Sequence, residues 1–152
     1  AIYAAGKNWE VDAFDQSSVG AEKALAFARE KGLEINFWVS DLSEFPFKNA
    51  YYDAVGLIYL HVPPPLRKLA HQKAGESLTP GGTLILEAFH ASQLGRQSGG
   101  PQSPEMLFDK DIILGDFPGL ETELIEETEL ILEEGLYHGG AAKLIRYRGV
   151  KK

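Results

Sequence analysis

The sequence of 152 residues contains no cysteine. Disulfide bonds, thiolate metal sites and a cysteine nucleophile are therefore excluded, and the absence is typical of a protein from the reducing cytoplasm. Lys and Arg number 15 against 22 Asp and Glu, which gives a net charge of −7, so nucleic acid is not the expected partner. The apolar runs are strand-sized and far shorter than the roughly 20 residues that span a bilayer, so no membrane partner is expected. These absences favour a small-molecule ligand.

Several catalytic motifs are missing as well. Ser103 does not lie in a Gly-x-Ser-x-Gly elbow, and the four histidines are scattered, with no two of them one helical turn apart. Hydrolase chemistry and a metal site are therefore not expected. The chain also has no strand and glycine-rich turn before its first apolar strand.

Apolar segments that end at an acid or at a turn predict an α/β fold. Their alternation with helical segments predicts a doubly wound, mostly parallel sheet with right-handed crossovers. The nearly continuous apolar run from Tyr52 to Leu60 predicts a central strand. The elements predicted up to residue 89 are a strand from Trp9 to Asp15, a helix from Val19 or Gly20 to Lys31, a strand from Leu33 to Val39, the strand from Tyr52 to Leu60, a helix from Leu66 to Leu78 and, after the turn at 79–82, a strand from Thr83 to Phe89.

The last third of the chain has a different character. Residues 91–104 are rich in Gly, Ser, Gln and Pro without periodicity, which predicts a mobile loop or lid. A short helix is predicted from Asp109 to Phe117. Residues 121–134 are ambiguous between helix and strand, but with the strand at 140–150 they most simply form a β-hairpin at the edge of the sheet.

Acids at the predicted strand ends are the candidate ligand-binding residues. Asp15 has the position and the chemistry to accept hydrogen bonds from both hydroxyls of a ribose, with Gln16 beside it; the alternative is an Asx turn that caps the next helix. Asp41 is a candidate acceptor for the amine of adenine, with Leu42 against the ring, or else an acid in a solvated loop. Asp53 begins its strand and is expected to be structural.

The order of these features resembles class I S-adenosylmethionine-dependent methyltransferases, and particularly the small bacterial branch similar to tellurite-resistance and thiopurine methyltransferases. The resemblance covers essentially the whole chain. It rests on Val11-Asp-Ala-Phe-Asp15, Val39-Ser-Asp-Leu42, Tyr52-Asp-Ala-Val55, Leu78-Thr-Pro-Gly-Gly-Thr-Leu84 and Gly100-Pro-Gln-Ser-Pro-Glu-Met-Leu107.

The resemblance implies a Rossmann-like sheet with an antiparallel C-terminal hairpin. It also implies S-adenosylmethionine as the cofactor and in-line transfer of its methyl group to a small-molecule acceptor in the cytoplasm. The first strand and glycine-rich loop of this family are absent from the sequence. We therefore expect residues 1–152 to be a single methyltransferase-like domain that is incomplete at its N-terminus.

Further site residues follow from the resemblance. Tyr59 and Leu60 are expected near the methionine portion of the cofactor, which makes six cofactor-binding candidates together with Asp15, Gln16, Asp41 and Leu42. His61 and His90 are the candidate catalytic bases, and their ordinary alternative is a polar loop residue. Tyr137 and His138 are expected to approach the acceptor from the hairpin turn.

Two other functions remain open at this point. An acid at the end of the second strand of a Rossmann fold also binds the ribose of a dinucleotide, so an NAD(P)-dependent oxidoreductase is one alternative. A non-catalytic binding protein on the same fold is the other. The oligomeric state is open as well, a homodimer included.

Overall fold

The computed structural model describes residues 1–133, 135 and 138–152. Their contacts group into two units, Ala1–Pro46 and Phe47–Lys152. The single domain predicted over the whole chain stays a prediction. In the described part of the chain, no helix has both the length and the apolar character needed to cross a membrane.

The first unit contains a parallel pair of strands. Its elements are α1 (Ile2–Ala5), β1 (Asp12–Asp15), α2 (Ser18–Glu30) and β2 (Asn36–Val39). The two strands pair in register from Asp12 opposite Asn36 to Asp15 opposite Val39. Helix α2 begins after Ser17, whose Oγ accepts the Gly20 N–H at 3.0 Å. Both strands begin three residues later than predicted, and both end where predicted.

The second unit contains a four-stranded mixed sheet in the order β3-β4-β6-β5. Strands β3 and β4 are parallel, whereas β6 is antiparallel to both of its neighbours. This arrangement confirms the predicted α/β fold and the C-terminal hairpin. The elements are β3 (Tyr52–Ile58), α3 (Pro64–Ser77), β4 (Leu78–Phe89), α4 (Lys110–Asp116), β5 (Leu120–Glu133) and β6 (Gly139–Lys151).

Two strand predictions need correction. Strand β3 was expected at the centre of a sheet, but it is an edge strand of the four-stranded sheet and Ile58 is exposed. An apolar run does not distinguish a central strand from an edge strand. In β3 the apolar residues Val55 and Leu57 pack on the core although the strand lies at the edge. Strand β4 begins at Leu78, so the predicted turn at 79–82 lies inside the strand. The backbone is tightly packed there, because a Cβ atom on Gly82 would lie only 2.9 Å from the Thr79 carbonyl oxygen.

The core of the second unit lies on one face of the sheet. Alternate residues of β4 and β6 point to this face, among them Leu84, Leu86 and Tyr147, and they pack with Ile113 of α4. A second, smaller apolar cluster lies near the end of β4. It consists of Phe89, Leu107, Leu132, Ala142 and Leu144. Burial of these side chains supplies most of the stabilisation, at about 25 cal/mol per Å² of apolar surface.

The segment after β4 is a loop, as predicted, but a well-connected one. It contains two short 3-10 helices, Ala91–Gln93 and Pro104–Met106. Gln93 is completely buried; its amide nitrogen donates to Ser98 Oγ at 2.8 Å, and its oxygen accepts the Lys143 N–H at 2.8 Å. Strand β6 extends beyond the end of β4, so its backbone groups need other partners, and these loop side chains provide them. The contacts leave less freedom for a lid than the composition suggests.

A buried ionic cluster joins α3 to α4. Asp116 Oδ2 accepts from Arg67 Nε at 2.9 Å and from His71 Nδ1 at 2.8 Å. The His71 ring stacks on Phe117 at 4.7 Å, and its Nε2 is buried without a hydrogen-bond partner among the described residues. Burial lowers the pKa of His71, although Asp116 opposes this effect, so the ring is neutral with its proton on Nδ1.

Candidate functional site

The first unit brings two of the predicted acids to one edge of its strand pair. Asp15 ends β1, and Asp41 follows β2 by two residues. Because the two strands are parallel, their carboxyl ends lie at the same edge, and the Ser40 N–H donates to the Asp15 carbonyl oxygen at 3.1 Å. This edge is where open α/β sheets bind their ligands.

The Asp15 carboxylate has one oxygen engaged. Its Oδ1 accepts the Ser17 N–H at 2.8 Å, which is the Asx turn of the alternative interpretation. The described residues make no hydrogen bond to Oδ2, and the side chain is exposed. Asp15 therefore shapes the start of α2 and still presents an acceptor to a ligand. Gln16, the next residue, is exposed too.

The Asp41 carboxylate has a similar arrangement. Its Oδ1 accepts both the hydroxyl of Ser43 at 2.5 Å and the backbone N–H of Ser43 at 2.8 Å. These two hydrogen bonds lower the pKa of Asp41, so the group is ionised at neutral pH. Leu42 is half-buried, and nearby in this unit the Phe45 ring stacks on Phe14 with centroids 3.9 Å apart.

In the second unit, the chain turns sharply after β3. Tyr59 has a φ of +51°, a left-handed conformation that is rare for an aromatic residue and that concentrates at functional sites. Its N–H still donates to the Glu87 carbonyl oxygen at 2.8 Å. Its ring contacts Phe89 at 5.0 Å and His138 at 4.9 Å between centroids, and Leu60 beside it is half-buried.

Both nitrogens of His61 contact the backbone. Nε2 accepts the Phe89 N–H at 3.1 Å, so the proton lies on Nδ1, which donates to the Met106 carbonyl oxygen at 2.7 Å. Burial lowers the pKa of His61, and this effect outweighs the hydrogen bond that His61 donates to the Met106 carbonyl oxygen, which raises the pKa. As a catalytic base, His61 would first have to release the Phe89 amide.

His90 is held in a comparable way at the end of β4. Its Nδ1 accepts the Ser92 N–H at 3.1 Å, which puts the proton on Nε2, 3.8 Å from Glu127 Oε1. The side chain borders a polar recess of about 190 Å³ that Glu129 and Lys143 also line. Lys143 and Arg96 hydrogen-bond to Glu129 and lower its pKa to about 2. The structure therefore places His90, and not His61, at this recess.

The remaining predicted residues are distributed as follows. Asp53 Oδ1 accepts from the Thr79 hydroxyl at 3.3 Å at the start of β3, which fits its structural interpretation. Tyr137 lies outside the described residues, whereas His138 contacts Phe89 at 5.5 Å. Across residues 1–133, 135 and 138–152, no group of three or more histidines and acids is arranged to hold a metal ion.

Two groups of polar residues escaped the sequence prediction. The first is the cluster of Arg67, His71 and Asp116; the spacing of four between Arg67 and His71 indicates a shared helix face, but nothing local points to Asp116. The second is Gln93 with its partners, for which the composition of the loop offers no signal. Both groups stabilise the fold of the second unit.

Comparison with protein families identifies the chain. Residues 1–82, more than half of it, match the family model described as a methyltransferase domain. The chain belongs to the methyltransferase-domain family. The predicted enzyme class and S-adenosylmethionine as its cofactor are thereby confirmed.

Solved structures support the fold of this methyltransferase. A SAM-dependent methyltransferase from Methanosarcina mazei superposes with a TM-score of 0.78 at 18% identity, covering 99% of this chain and 85% of that one. TehB from Haemophilus influenzae gives a TM-score of 0.79 at 13% identity, and the match covers 100% of this chain but only 53% of TehB. YcgJ from Bacillus subtilis gives 0.70 at 15% identity, with 94% and 82% covered. The sequence matches no curated protein.

Proposed function

We propose that this methyltransferase transfers the methyl group of S-adenosylmethionine to a small-molecule acceptor by in-line displacement. The observation that carries the proposal is the pair of carboxylates, Asp15 and Asp41, at the common edge of β1 and β2. Each has one oxygen bound to its own turn and one oxygen to which the described chain makes no hydrogen bond. Acceptors of this kind suit the hydroxyls of a ribose and the amine of adenine.

Four further residues complete the proposed cofactor contacts. We assign Gln16 to the ribose and Leu42 to the face of the adenine ring in the first unit. In the second unit we assign Tyr59 and Leu60 to the methionine portion. The support is positional, since all four lie just after the carboxyl end of a parallel strand.

The chemistry asks little of the protein beyond positioning. When bound, S-adenosylmethionine supplies a methyl group activated by a positively charged sulfur. The protein then has to hold the acceptor in line and keep water out, which accounts for much of the rate in such displacements. Ring faces attract positive charge. We therefore propose that the rings of Tyr59 and Phe89, 5.0 Å apart, stabilise the sulfonium.

The acceptor decides whether a base is needed. His61 and His90 stay proposed bases for an alcohol or amine acceptor, which has to lose a proton. In the structure each histidine uses its ring lone pair on a backbone N–H. A soft anion such as a thiolate or a chalcogen anion needs no base and is compatible with the geometry as it stands. The cytoplasmic location and the oligomeric state, a homodimer included, stay predictions.

Calorimetric titration of the protein with S-adenosylmethionine tests the proposal. We expect Asp15→Ala to weaken binding by at least about 1.5 kcal/mol, about tenfold, because hydrogen bonds to a charged group are lost. Asp15→Asn retains an acceptor for the Ser17 N–H and separates ligand contact from the local turn. Asp12→Ala is the matched control, since Asp12 begins the same strand and accepts from Asn36 Nδ2 at 2.9 Å.

The possible outcomes are distinct. Unchanged affinity in a folded Asp15→Ala protein would remove Asp15 from the site, and an equal loss in Asp12→Ala would attribute the effect to the strand. Parallel titrations with S-adenosylhomocysteine and NADH test the alternatives. Binding of NADH alone would favour an oxidoreductase, and binding of none of the three a non-catalytic protein. The family match and the antiparallel β5–β6 pair favour the methyltransferase.

A further inference from the structure

The starting observation is an interruption in the β3–β4 ladder. Tyr59 N–H donates to the Glu87 carbonyl oxygen, and a regular parallel ladder would next join the Phe89 N–H to the Tyr59 carbonyl oxygen. The left-handed turn at Tyr59 changes this pattern: its carbonyl oxygen accepts the N–H of His61 at 3.0 Å. The Phe89 N–H donates to His61 Nε2 instead, at 3.1 Å.

The other side of the same ring reaches the returning chain. His61 Nδ1 donates to the carbonyl oxygen of Met106, which ends the second 3-10 helix. Two residues later, Phe108 donates its N–H to the Phe89 carbonyl oxygen at 3.1 Å and accepts the Ala91 N–H at 2.8 Å. The imidazole thus lies between the end of β4 and residues 106–108 and hydrogen-bonds to both.

The ring also packs between aromatic side chains. Its centroid lies 5.5 Å from that of Phe89 and 5.4 Å from that of Phe108. Phe89 in turn contacts Tyr59 and His138. A change at His61 therefore acts directly on the backbone amide and the ring of Phe89.

We propose that neutral His61 is a positioning residue that fastens the 104–108 segment to the end of β4 and holds Phe89 in place, and that protonation of the ring releases this connection. The imidazolium ion has two N–H donors and no acceptor, so it cannot accept the Phe89 N–H. The connection itself stands on the hydrogen bonds above. Its consequence for cofactor binding rests on the proposed function.

The surroundings of His61 determine whether such a response is specific. Among the described residues, His138 is the titratable group with an electrostatic effect on His61, and it lowers the pKa. The titratable groups within two residues of His61 or of its contacts Phe89, Met106 and Phe108 are Tyr59, Glu87, His90, Glu105, Asp109 and Lys110. Arg67 and His71 of α3 contact the Phe108 ring. Glu105 is exposed and bonds to Ser103. The response is therefore assigned to a histidine whose pKa lies below its ordinary value of 6.5, and not to a carboxylate.

Amide hydrogen exchange of the ligand-free protein tests the connection. The reporters are the amides of Phe108 and Ala91, with exchange corrected for the intrinsic effect of pH. His61→Phe retains the ring packing but removes both bonds, and we expect about five- to tenfold faster exchange of both reporters at pH 8. The amides of the β5–β6 hairpin are the internal control.

Two further variants distinguish the contributions of the two His61 hydrogen bonds. They also replace His61→Phe if that variant does not fold. An asparagine amide reaches about as far as Nδ1, and a glutamine amide about as far as Nε2. His61→Asn and His61→Gln should each retain part of the protection. Neither should show the loss of protection that the wild-type protein shows as the pH falls below 6.5, the ordinary pKa of histidine.

The proposal has clear points of failure. Equal protection in wild type and His61→Phe, or an acid response that persists in His61→Gln, overturns it. Loss of the acid response in His90→Asn assigns it to the other histidine and overturns it as well. Titration with S-adenosylmethionine is a separate readout: affinity that falls with the protection supports the consequence for binding. If the protein binds no S-adenosylmethionine at all, the proposed function fails while the exchange data still decide the connection.

Discussion

Replacing Asp116 tests how strongly the buried ionic cluster stabilises the second unit. In Asp116→Ala, the guanidinium of Arg67, whose side chain is only 8% exposed, loses the 2.9 Å contact to Oδ2, and the Nδ1–H of His71 loses its acceptor. Removing one partner of a buried pair leaves an uncompensated charge and costs about 3–5 kcal/mol. This is a large part of a typical stability of about 5–15 kcal/mol.

The chain contains a matched control for burial. The Arg148 Nε to Glu123 Oε2 distance is 2.8 Å, nearly the same, but the two side chains are 53% and 45% exposed. Exposed pairs contribute about 0–1 kcal/mol, so Glu123→Ala should change the free energy of unfolding little. Asp116→Asn, which keeps the shape of the side chain, replaces Asp116→Ala if the latter does not fold.

The assay is urea unfolding followed by far-UV circular dichroism. Both tryptophans, Trp9 and Trp38, lie in the first unit, so their fluorescence does not report directly on α3 and α4. A loss for Asp116→Ala no larger than that for Glu123→Ala would refute the argument from burial. A loss of several kcal/mol in Asp116→Ala alone would support it.

Two further predictions concern the same unit. Gly100→Ala should destabilise the protein by about 1–3 kcal/mol in urea unfolding, because φ is +87° and the new Cβ would lie 2.9 Å from ring carbons of Phe89; a loss below about 0.5 kcal/mol would contradict this. Burial lowers the pKa values of His61 and His71 below 6.5, so their neutral forms stabilise the fold fully above that pH. The free energy of unfolding should therefore fall as the pH drops below 6.5 and through the pKa values of the folded protein. Urea unfolding from about pH 8 to pH 5 measures the effect, and a flat profile would show that neither ring is buried neutral.

The elements and the position of the two carboxylates could be predicted from the sequence because both depend on local patterns. Strand β1 ends at Asp15 as predicted, since an apolar run followed by an acid and a capping serine, Ser17, determines where the strand ends and α2 begins. The hairpin was predictable for the same reason. The early start of β4 was not, because Pro80 and the following glycines are typical of a turn, and only the pairing of Leu78 with Tyr52 extends the ladder beyond this irregularity.

The state of the histidines could be decided only by the tertiary structure. The sequence alone determined that His61 and His90 follow strand ends, and from this it predicted bases. The partners of the His61 ring are 28 and 45 residues away in sequence. Lys143, which donates to Gln93, and the two partners of Asp116 are as distant. Periodicity reports which side of a local element is buried, whereas the hydrogen bonds of a buried polar group depend on which distant segments the fold brings to it.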